Sequence, residues 1–406
     1  MQFKDIIGQE EVKQHLVEMA QHNRLSHALL FLGKEGTGAL PLAIAFAQYL
    51  VCQKVNDRMA LEPSLFETPP PFLKERGTGG EIDSCGTCPA CIKAAQLIHP
   101  DIHFSYPVVP KKTGSPPLSS DYITEWREFI RQYPYGNVYD WLQAIDAENK
   151  QGNITAQECN DIIRKLNLKS FESGFKILIL WMPEYLGKEG NKLLKLIEEP
   201  PAQTLFILVA ENESGILPTI ISRCQLVKIG RLETEAIESS LITRAGLPPD
   251  SAKKISAISD GNYREALQLI QHADEDYYNL LRDWLNAIVK NNVINQVKCI
   301  EEIARLGREN AKQFLRYLTH LLEQAIRLSI LNAEEVKHLA NQLSPNEQDF
   351  TTRLNKVMTL EQQQAIADEL NKAAYYIERN ANAKILFHAL TIKLFHIVKN
   401  NVVVVV

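Results

Sequence analysis

The strongest constraint on this chain is the glycine-rich turn at residues 33–40, Gly-Lys-Glu-Gly-Thr-Gly-Ala-Leu, between an apolar run and a helix-like run. A working phosphate-binding loop reads G-x-x-x-x-G-K-[ST], in which backbone N–H groups surround the phosphates, the lysine reaches the outer phosphates and the hydroxyl holds Mg²⁺. Gly33 and Gly38 keep that spacing, but Ala39 and Leu40 stand at the two chemical positions. We therefore predict a strand, a glycine turn and a helix without ATP hydrolysis.

The totals are those of an ordinary globular protein with several domains. The 406 residues allow two to four domains of roughly 100–200 residues each. The formal net charge of −5 provides no overall attraction to nucleic acid, so a DNA contact would need a local patch. The N-terminus lacks a leader pattern, and no apolar run reaches the roughly 18 residues of a membrane span, which predicts a cytoplasmic protein.

Strand-like apolar runs alternate with helix-like runs up to about residue 230, which predicts an α/β domain with a parallel sheet. The capping-box spacing of Thr155 and Glu158 predicts a helix that continues to about Leu166. The predicted strands are His27–Leu32, Asp101–Tyr106, Lys176–Trp181, Thr204–Ala210 and Gln225–Ile229.

Only helical periodicity follows the last strand, and we predict three domains: an α/β sheet domain at 1–231, a small helical domain at 232–273 and an all-α bundle at 274–406. An insertion at 107–152 contains several prolines and two tryptophans, which indicates ordered structure whose role the sequence does not reveal.

The spacer 53–84 is rich in proline and glycine, and the tail Val402–Val406 has no functional interpretation. Basic residues in the spacer and the insertion are better interpreted as solvated loops than as a DNA contact. These basic residues are Arg58, Lys74, Arg76, Lys111 and Lys112.

Three of the seven cysteines form a doubled C-x-x-C, Cys85, Cys88 and Cys91. Adjacent C-x-x-C pairs point thiolates toward one place, and tetrahedral zinc needs four such ligands. We predict a structural zinc site with Cys52 as the fourth ligand, and His99 is the alternative. A set of reduced surface thiols is the competing interpretation.

Four blocks of sequence resemble the bacterial clamp-loader AAA+ subunits of DNA polymerase III. The opening Phe3–Gln9 and the stretch Arg24–Phe31 precede the glycine turn, and the cysteine cluster follows the first helix as the zinc module does in gamma/tau and delta-prime subunits. The stretches Asn191–Pro201 and Leu217–Cys224 resemble the helix after the second acidic motif and the arginine-finger block. The resemblance covers residues 1 to about 270 in order.

The departures from the active pattern indicate a non-hydrolysing member of that family, of the delta-prime type. The strand end that carries an acidic pair in an ATPase has only Glu184, and Glu211 and Asn212 stand where active relatives carry a polar sensor. No nucleotide is expected at the degenerate loop, which includes Gly36, and Arg264 is interpreted as a vestigial second sensor or a structural ion-pair partner.

The resemblance implies an AAA+ sheet domain with a zinc module at about 52–91, a lid and a collar. It also implies that Arg223 acts as an arginine finger in trans on a neighbouring gamma/tau ATPase, with local pairing as the alternative. The implied partners are the gamma/tau and delta subunits and, through the complex, the sliding clamp and primed DNA. The alternative functions are an active gamma/tau-type ATPase and a zinc-dependent nucleic-acid-binding protein.

Overall fold

A computed structural model describes residues 1–22, 24–60, 83–111, 114, 116–147, 150–271, 277–330, 345–378 and 381–400. Most of the spacer, including Lys74 and Arg76, and the tail Val402–Val406 lie outside these residues, as does Lys112. The described chain forms two compact units, Met1–Leu247 with Ser259–Leu267, and Pro248–Ile258 with Gln268–Val406. The predicted division into three domains stays a prediction.

The first unit contains a five-stranded sheet, and all its strand pairs are parallel in the order β2-β3-β4-β1-β5. The prediction of a parallel α/β sheet is confirmed: three strands have the predicted bounds, and the other two differ by one residue at each end. The strands are β1 (Ala28–Gly33), β2 (Ile102–Ser105), β3 (Lys176–Trp181), β4 (Thr204–Ala210) and β5 (Gln225–Ile229).

The sheet is covered on both faces, which explains why its strands are continuous apolar runs. Successive residues of β1 point to opposite faces: Leu29 joins one apolar core cluster and Leu30 joins another. In register, Leu30 lies opposite Leu208 of β4. The helices up to the last strand are α1 (Glu10–Gln21), α2 (Ala39–Val51), α3 (Gln53–Ala60), α4 (Pro89–Ala95), α5 (Ile123–Gln132), α6 (Val138–Ala144), α7 (Ala156–Leu166), α8 (Leu194–Glu198) and α9 (Pro218–Ile221).

Helix α7 begins as predicted, but only half of the expected capping box forms. The Thr155 hydroxyl accepts a hydrogen bond from the backbone N–H of Glu158 at 3.3 Å. The Glu158 carboxylate does not return to the cap; it accepts from the N–H and hydroxyl of Ser119 in the insertion. This buried carboxylate therefore ties the insertion to the helix.

The insertion packs aromatic side chains against the carboxyl end of the sheet. Trp126 stacks on Tyr106 with ring centroids 3.9 Å apart and meets Trp141 edge-on at 5.2 Å. Its ring also lies 5.3 Å from that of Trp181, the last residue of β3. Because ligands of open parallel sheets bind outside the carboxyl ends of the strands, this packing occupies the usual ligand side.

After β5, all the regular elements of the described chain are helices. In the second unit, Phe314, Leu318 and Leu390 are buried in one apolar core, as their helical spacing predicts. The remaining helices are α10 (Thr234–Ala245), α11 (Pro249–Ile258), α12 (Tyr263–Gln271), α13 (Tyr277–Val289), α14 (Val293–Arg305), α15 (Arg308–Ile330), α16 (Pro345–Val357), α17 (Leu360–Glu378) and α18 (Ala383–Asn400). Among the described helices, none is long and apolar enough to cross a membrane.

Candidate functional site

The glycine turn has the backbone of a phosphate-binding loop and the side chains of a core. Gly36 and Gly38 adopt φ values of 72° and 88°, which favour glycine because a Cβ atom is strained there. Ala39 and Leu40 begin α2 and are 8% and 4% exposed. The two positions that would carry an ammonium and a hydroxyl are therefore apolar and buried.

Very little space remains above the turn. The cavity there measures about 20 Å³, and its walls include Tyr135 from the insertion and Trp181 from β3. A Cβ atom added to Gly38 would lie 2.9 Å from Cε1 of Tyr135. The Tyr135 hydroxyl accepts a hydrogen bond from the backbone N–H of Ile7 at 2.8 Å, which fixes the ring. The enclosed space is therefore on the scale of a single ordered water, which needs roughly 10–15 Å³.

Arg264, the predicted vestigial sensor, is bound by carboxylates from two directions. Its Nε and Nη2 donate to the two carboxylate oxygens of Asp140 in α6, each at 2.5 Å. Its Nη1 donates to Oε1 of Glu35 in the glycine turn at 2.9 Å. Arg264 is 4% exposed. Asp140 and Glu35 thus supply the negative charge that a phosphate would otherwise supply, which favours the structural interpretation of this arginine.

Glu184, the one carboxylate left in the acidic motif, binds backbone N–H groups. Oε1 of Glu184 accepts from the N–H groups of Glu211 and Asn212, both at 2.8 Å. Burial raises the pKa of Glu184 in spite of these two hydrogen bonds. The carboxylate therefore stabilises the turn after β4. It links the acidic motif, which retains only Glu184, to the predicted sensor position at Glu211 and Asn212.

Asn212 also has a local role at the predicted sensor position. Its side-chain oxygen accepts from the N–H of Ser214 at 3.1 Å and from the Ser214 hydroxyl at 2.8 Å. This pattern caps a short 3-10 helix at Glu213–Gly215. The side-chain oxygen of Asn212 is therefore used in hydrogen bonds within the turn.

Four cysteines converge where the sequence predicts a zinc site. The sulfur atoms of Cys52, Cys85, Cys88 and Cys91 all lie within 4.8 Å of one another, which suits a metal ion. Cys52 directly follows α2, and Cys88 caps the N-terminus of α4. His99, the alternative fourth ligand, is not part of this group.

Backbone N–H groups point at the sulfurs, an arrangement that stabilises thiolates. The N–H of Cys85 donates to Sγ of Cys52 at 3.4 Å, and that of Cys88 donates to Sγ of Cys85 at 3.3 Å. Burial tends to raise the pKa of Cys85, but the N–H groups of Thr87 and Cys88 lower it to about 6. Burial raises the pKa of Cys52 and Cys91. A bound cation would favour the thiolate at all four positions.

Arg223, the predicted finger, makes local contacts in the single chain. Its Nε donates to Oε1 of Glu198 at 2.5 Å, and its Nη1 donates to the carbonyl of Thr219 at 2.7 Å. The side chains of Arg223 and Glu198 are 34% and 45% exposed. The local ion pair that the sequence left as an alternative is therefore present, on a solvent-accessible surface.

Comparison with known proteins identifies the family. A family model described as "DNA polymerase III, delta subunit" matches residues 8–64 and 76–233, which together make up just over half of the chain. The chain belongs to this family. The match spans the glycine turn, the cysteine cluster and all five strands of this DNA polymerase III delta-family member, so the resemblance to clamp-loader subunits is confirmed at the level of the family.

Individual relatives agree with the family. The chain is 24% identical over 328 residues to DNA polymerase III subunit tau of Bacillus subtilis (strain 168), covering 79% of this chain and 46% of the relative. It is 25% identical over 261 residues to subunit delta' of the same organism, covering 64% of this chain and 59% of the relative. The chain therefore spans about half the length of these relatives.

One solved structure is similar along most of the chain. It is the gamma subunit-related protein of Thermotoga maritima, with 16% identity, 96% of this chain and 99% of that chain covered, and a TM-score of 0.36. A TM-score of that size supports no conclusion about this delta-family chain.

The sequence does not identify Tyr135 or Asp140, the two residues of the insertion that close the site. Asp140 lies 124 residues before Arg264, and an ion pair between such distant residues leaves no periodic pattern. The one local signal is the Asn-x-x-Asp spacing of Asn137 and Asp140, which forms a capping box at the start of α6. That signal locates a helix but not its partner.

Proposed function

We propose that this chain is a delta-prime-type subunit of the DNA polymerase III clamp loader, a catalytically silent AAA+ stator that helps to load the sliding clamp on primed DNA. The observation that carries the proposal is the closed site: Tyr135 covers Gly38, and Asp140 and Glu35 bind Arg264. The family match and the similarity to a delta' subunit support the clamp-loader role.

Two further features support catalytic silence. Ala39 and Leu40 lack the ammonium and hydroxyl that phosphoryl transfer requires. One carboxylate oxygen of Glu184 accepts hydrogen bonds from the turn after β4, where an ATPase would use a carboxylate to bind Mg²⁺. A stator of this kind needs a fixed shape, and the same carboxylates and aromatic rings provide one.

Arg223 is the residue that we propose to act in catalysis, in trans at a neighbouring gamma/tau ATPase site. A guanidinium that reaches a transferring phosphoryl group increases the rate by roughly 10³–10⁵ in systems that use one. Its ion pair with Glu198 is solvent-accessible, and such a pair is worth only about 0–1 kcal/mol. Little free energy therefore opposes a change of partner when subunits assemble.

The cysteine cluster is proposed to hold one structural zinc ion through Cys52, Cys85, Cys88 and Cys91. Four sulfur ligands close a tetrahedral site and leave no position for substrate, so its contribution is to stability. The zinc module would join the end of α2 to α4 and brace the sheet domain.

The proposed partners are the gamma/tau and delta subunits, with the sliding clamp and primed DNA reached through the complex. In this assignment, residues 232–273 form the lid and residues 274–406 form the collar that joins the ring. The cytoplasm, where replication complexes act, is the proposed location.

The proposal is tested by calorimetric titration of ATP·Mg²⁺ into the purified full chain, with an active clamp-loader ATPase subunit as the positive control. We expect no binding heat for this chain at nucleotide concentrations that saturate the control. A matched variant, A39K/L40T, restores the two side chains of the motif. We expect it to give no binding heat either, because Tyr135 still fills the space above Gly38. Micromolar binding by the wild-type chain would instead favour an active ATPase.

A further inference from the structure

The N-terminal segment, residues 2–9, lies between the cysteine cluster and the glycine turn. Its first half contacts the loop that carries Cys85, and its second half contacts the ring that covers Gly38. Between the two contacts, Phe3–Asp5 forms a short 3-10 helix and Ile7 is 4% exposed. The segment is therefore an ordered connection with hydrogen bonds at both ends.

Two residues of the cysteine loop, Asp83 and Ser84, hold the first half of the segment. Oδ1 of Asp83 accepts a hydrogen bond from the backbone N–H of Phe3, and Oδ2 accepts one from the N–H of Lys4, each at 3.0 Å. The carbonyl of Ser84 accepts from Nε2 of Gln2 at 2.5 Å. The segment thus rests on the loop that would supply a metal ligand.

The side chain of Gln2 also packs directly on Gly86, the residue after Cys85. A Cβ atom added to Gly86 would lie 2.7 Å from Oε1 of Gln2. Gly86 has a φ of 69°, a conformation that favours glycine. Because Gly86 lies between Cys85 and Cys88, a movement of the ligand loop would displace the surface on which Gln2 rests.

The second half of the segment holds the cover of the glycine turn. The backbone N–H of Ile7 donates to the hydroxyl of Tyr135 at 2.8 Å. Nε2 of Gln9 donates to the carbonyl of Thr37 in the turn at 3.3 Å and to that of Gly230 after β5 at 2.7 Å. The segment therefore orients the aromatic ring above the turn and also contacts the turn itself.

We propose that the N-terminal segment couples the cysteine cluster to the cover of the glycine turn. When the four thiolates are closed around a cation, residues 83–86 are fixed, the segment stays docked and Tyr135 stays above Gly38. When the cluster is open, the segment is released and the Tyr135 hydroxyl loses its donor. Such coupling is reciprocal, so the contact of Tyr135 also strengthens metal retention. This inference rests on the proposed zinc site and is independent of the clamp-loader assignment.

Helix α2 also joins the two sites, because it begins at Ala39 and Cys52 follows its last residue. The Asp83 carboxylate binds the segment and the neighbouring Ser84, and the Tyr135 hydroxyl binds the segment. Substitutions of these two groups therefore test the segment while the side chains of α2 stay unchanged.

The first test is amide hydrogen exchange, measured by mass spectrometry on the full-length chain with zinc bound and after its removal by a chelator. We expect peptides from residues 2–9 and 33–40 to exchange at least about fivefold faster without zinc. Peptides from β4 and from α14 of the second unit should not change. Unchanged exchange in residues 33–40, or an equal increase in β4, would overturn the proposal.

The variant D83N tests the segment with zinc still bound. The amide keeps the size of the side chain but replaces one acceptor oxygen, so we expect faster exchange in residues 2–9 and 33–40 at an unchanged zinc content. The control D146N changes an exposed aspartate and should exchange as the wild type does. A chain that binds no zinc refutes the metal site, whereas a zinc-loaded D83N that exchanges like the wild type refutes only the coupling.

The variant Y135F tests the reverse direction. It keeps the ring and removes the hydroxyl that binds Ile7, and we expect zinc release to a chromophoric chelator to become at least about fivefold faster. The control Y133F makes the same change at a side chain that is 47% exposed and should release zinc at the wild-type rate. Equal release rates in Y135F and the wild type would contradict the coupling.

The double variant D83N/Y135F shows whether both residues act along one path. If they do, its zinc release is slower than the product of the two single effects predicts, because the second substitution breaks a connection that is already lost. Effects that multiply fully would assign Asp83 and Tyr135 to independent contacts and would exclude the segment as their connection.

Discussion

The guanidinium of Arg264 donates to both carboxylate oxygens of Asp140, at 2.5 Å each, across 124 residues of sequence. The pair connects the helix that would carry the second sensor of an ATPase to the insertion. Glu35 of the glycine turn binds the same guanidinium, so three separate segments meet at one buried charge. An ATPase would use an arginine here to sense nucleotide, whereas two carboxylates hold the guanidinium in this chain.

Removing the Asp140 carboxylate should destabilise the first unit. In D140N the buried Arg264 loses the carboxylate that binds two of its nitrogen atoms, and we expect a loss of about 3 kcal/mol in the free energy of unfolding, measured by urea denaturation. The control D146N changes an exposed aspartate a few residues later and should cost less than about 0.5 kcal/mol. Equal stability of D140N and D146N would show that the pair contributes nothing.

Zinc content should depend on the cysteine cluster alone. We expect the purified chain to hold close to one zinc per molecule by mass spectrometry and C88S to lose it, with a lower unfolding temperature, because three thiolates do not close a tetrahedral site. The matched variant C159S changes another buried cysteine that lies outside the cluster and should keep the metal. A wild-type chain without zinc that has full stability would refute the metal proposal.

The finger proposal predicts a loss of activity in another subunit. In a reconstituted clamp loader, R223A should assemble normally and lower the ATPase rate, because one transition state loses a guanidinium. The control is R231A, which removes an arginine with a 63% exposed side chain that pairs locally with Asp260. If R223A and R231A give the same ATPase rate as the wild type, Arg223 is only a local ion-pair partner.

Acid should destabilise the second unit through His320 in α15. Burial lowers the pKa of His320 to about 4 from its ordinary value near 6.5, because the charged ring is poorly solvated. Between these two pKa values the unfolded chain binds a proton that the folded chain does not. The stabilisation from the neutral, buried His320 ring is therefore fully present above pH 6.5, and the free energy of unfolding falls by about 3 kcal/mol as the pH drops to 4. Urea denaturation at pH 7.5 and 5 should show a smaller difference in H320L than in the wild type. An identical pH dependence in both proteins would exclude His320 as the source.

Local signals made the sheet and the cysteine cluster predictable. The strands β3, β4 and β5 are apolar runs with charged or turn-forming neighbours, so their bounds follow from the sequence. The observed ends of β1 and β2 differ from the predicted ends by one residue, because pairing with the neighbouring strand decides which residue makes the last hydrogen bond. Cys52 could be named as the first candidate because a tetrahedral site needs a fourth ligand, but the sequence left His99 as an alternative. The use of Glu158 could not be predicted, since its partner Ser119 lies 39 residues away in an insertion without a recognisable pattern.

The ring of Tyr135 above Gly38 has an evolutionary consequence. Two substitutions, at Ala39 and Leu40, would rebuild the motif of an ATPase, but the lysine and hydroxyl would then face an aromatic ring and a cavity of about 20 Å³. A reversion must also remove the ring and release Arg264 from two carboxylates, and each intermediate loses stability before any activity returns. Under the proposed silent role, this packing therefore acts as an evolutionary ratchet that opposes a return to ATPase activity.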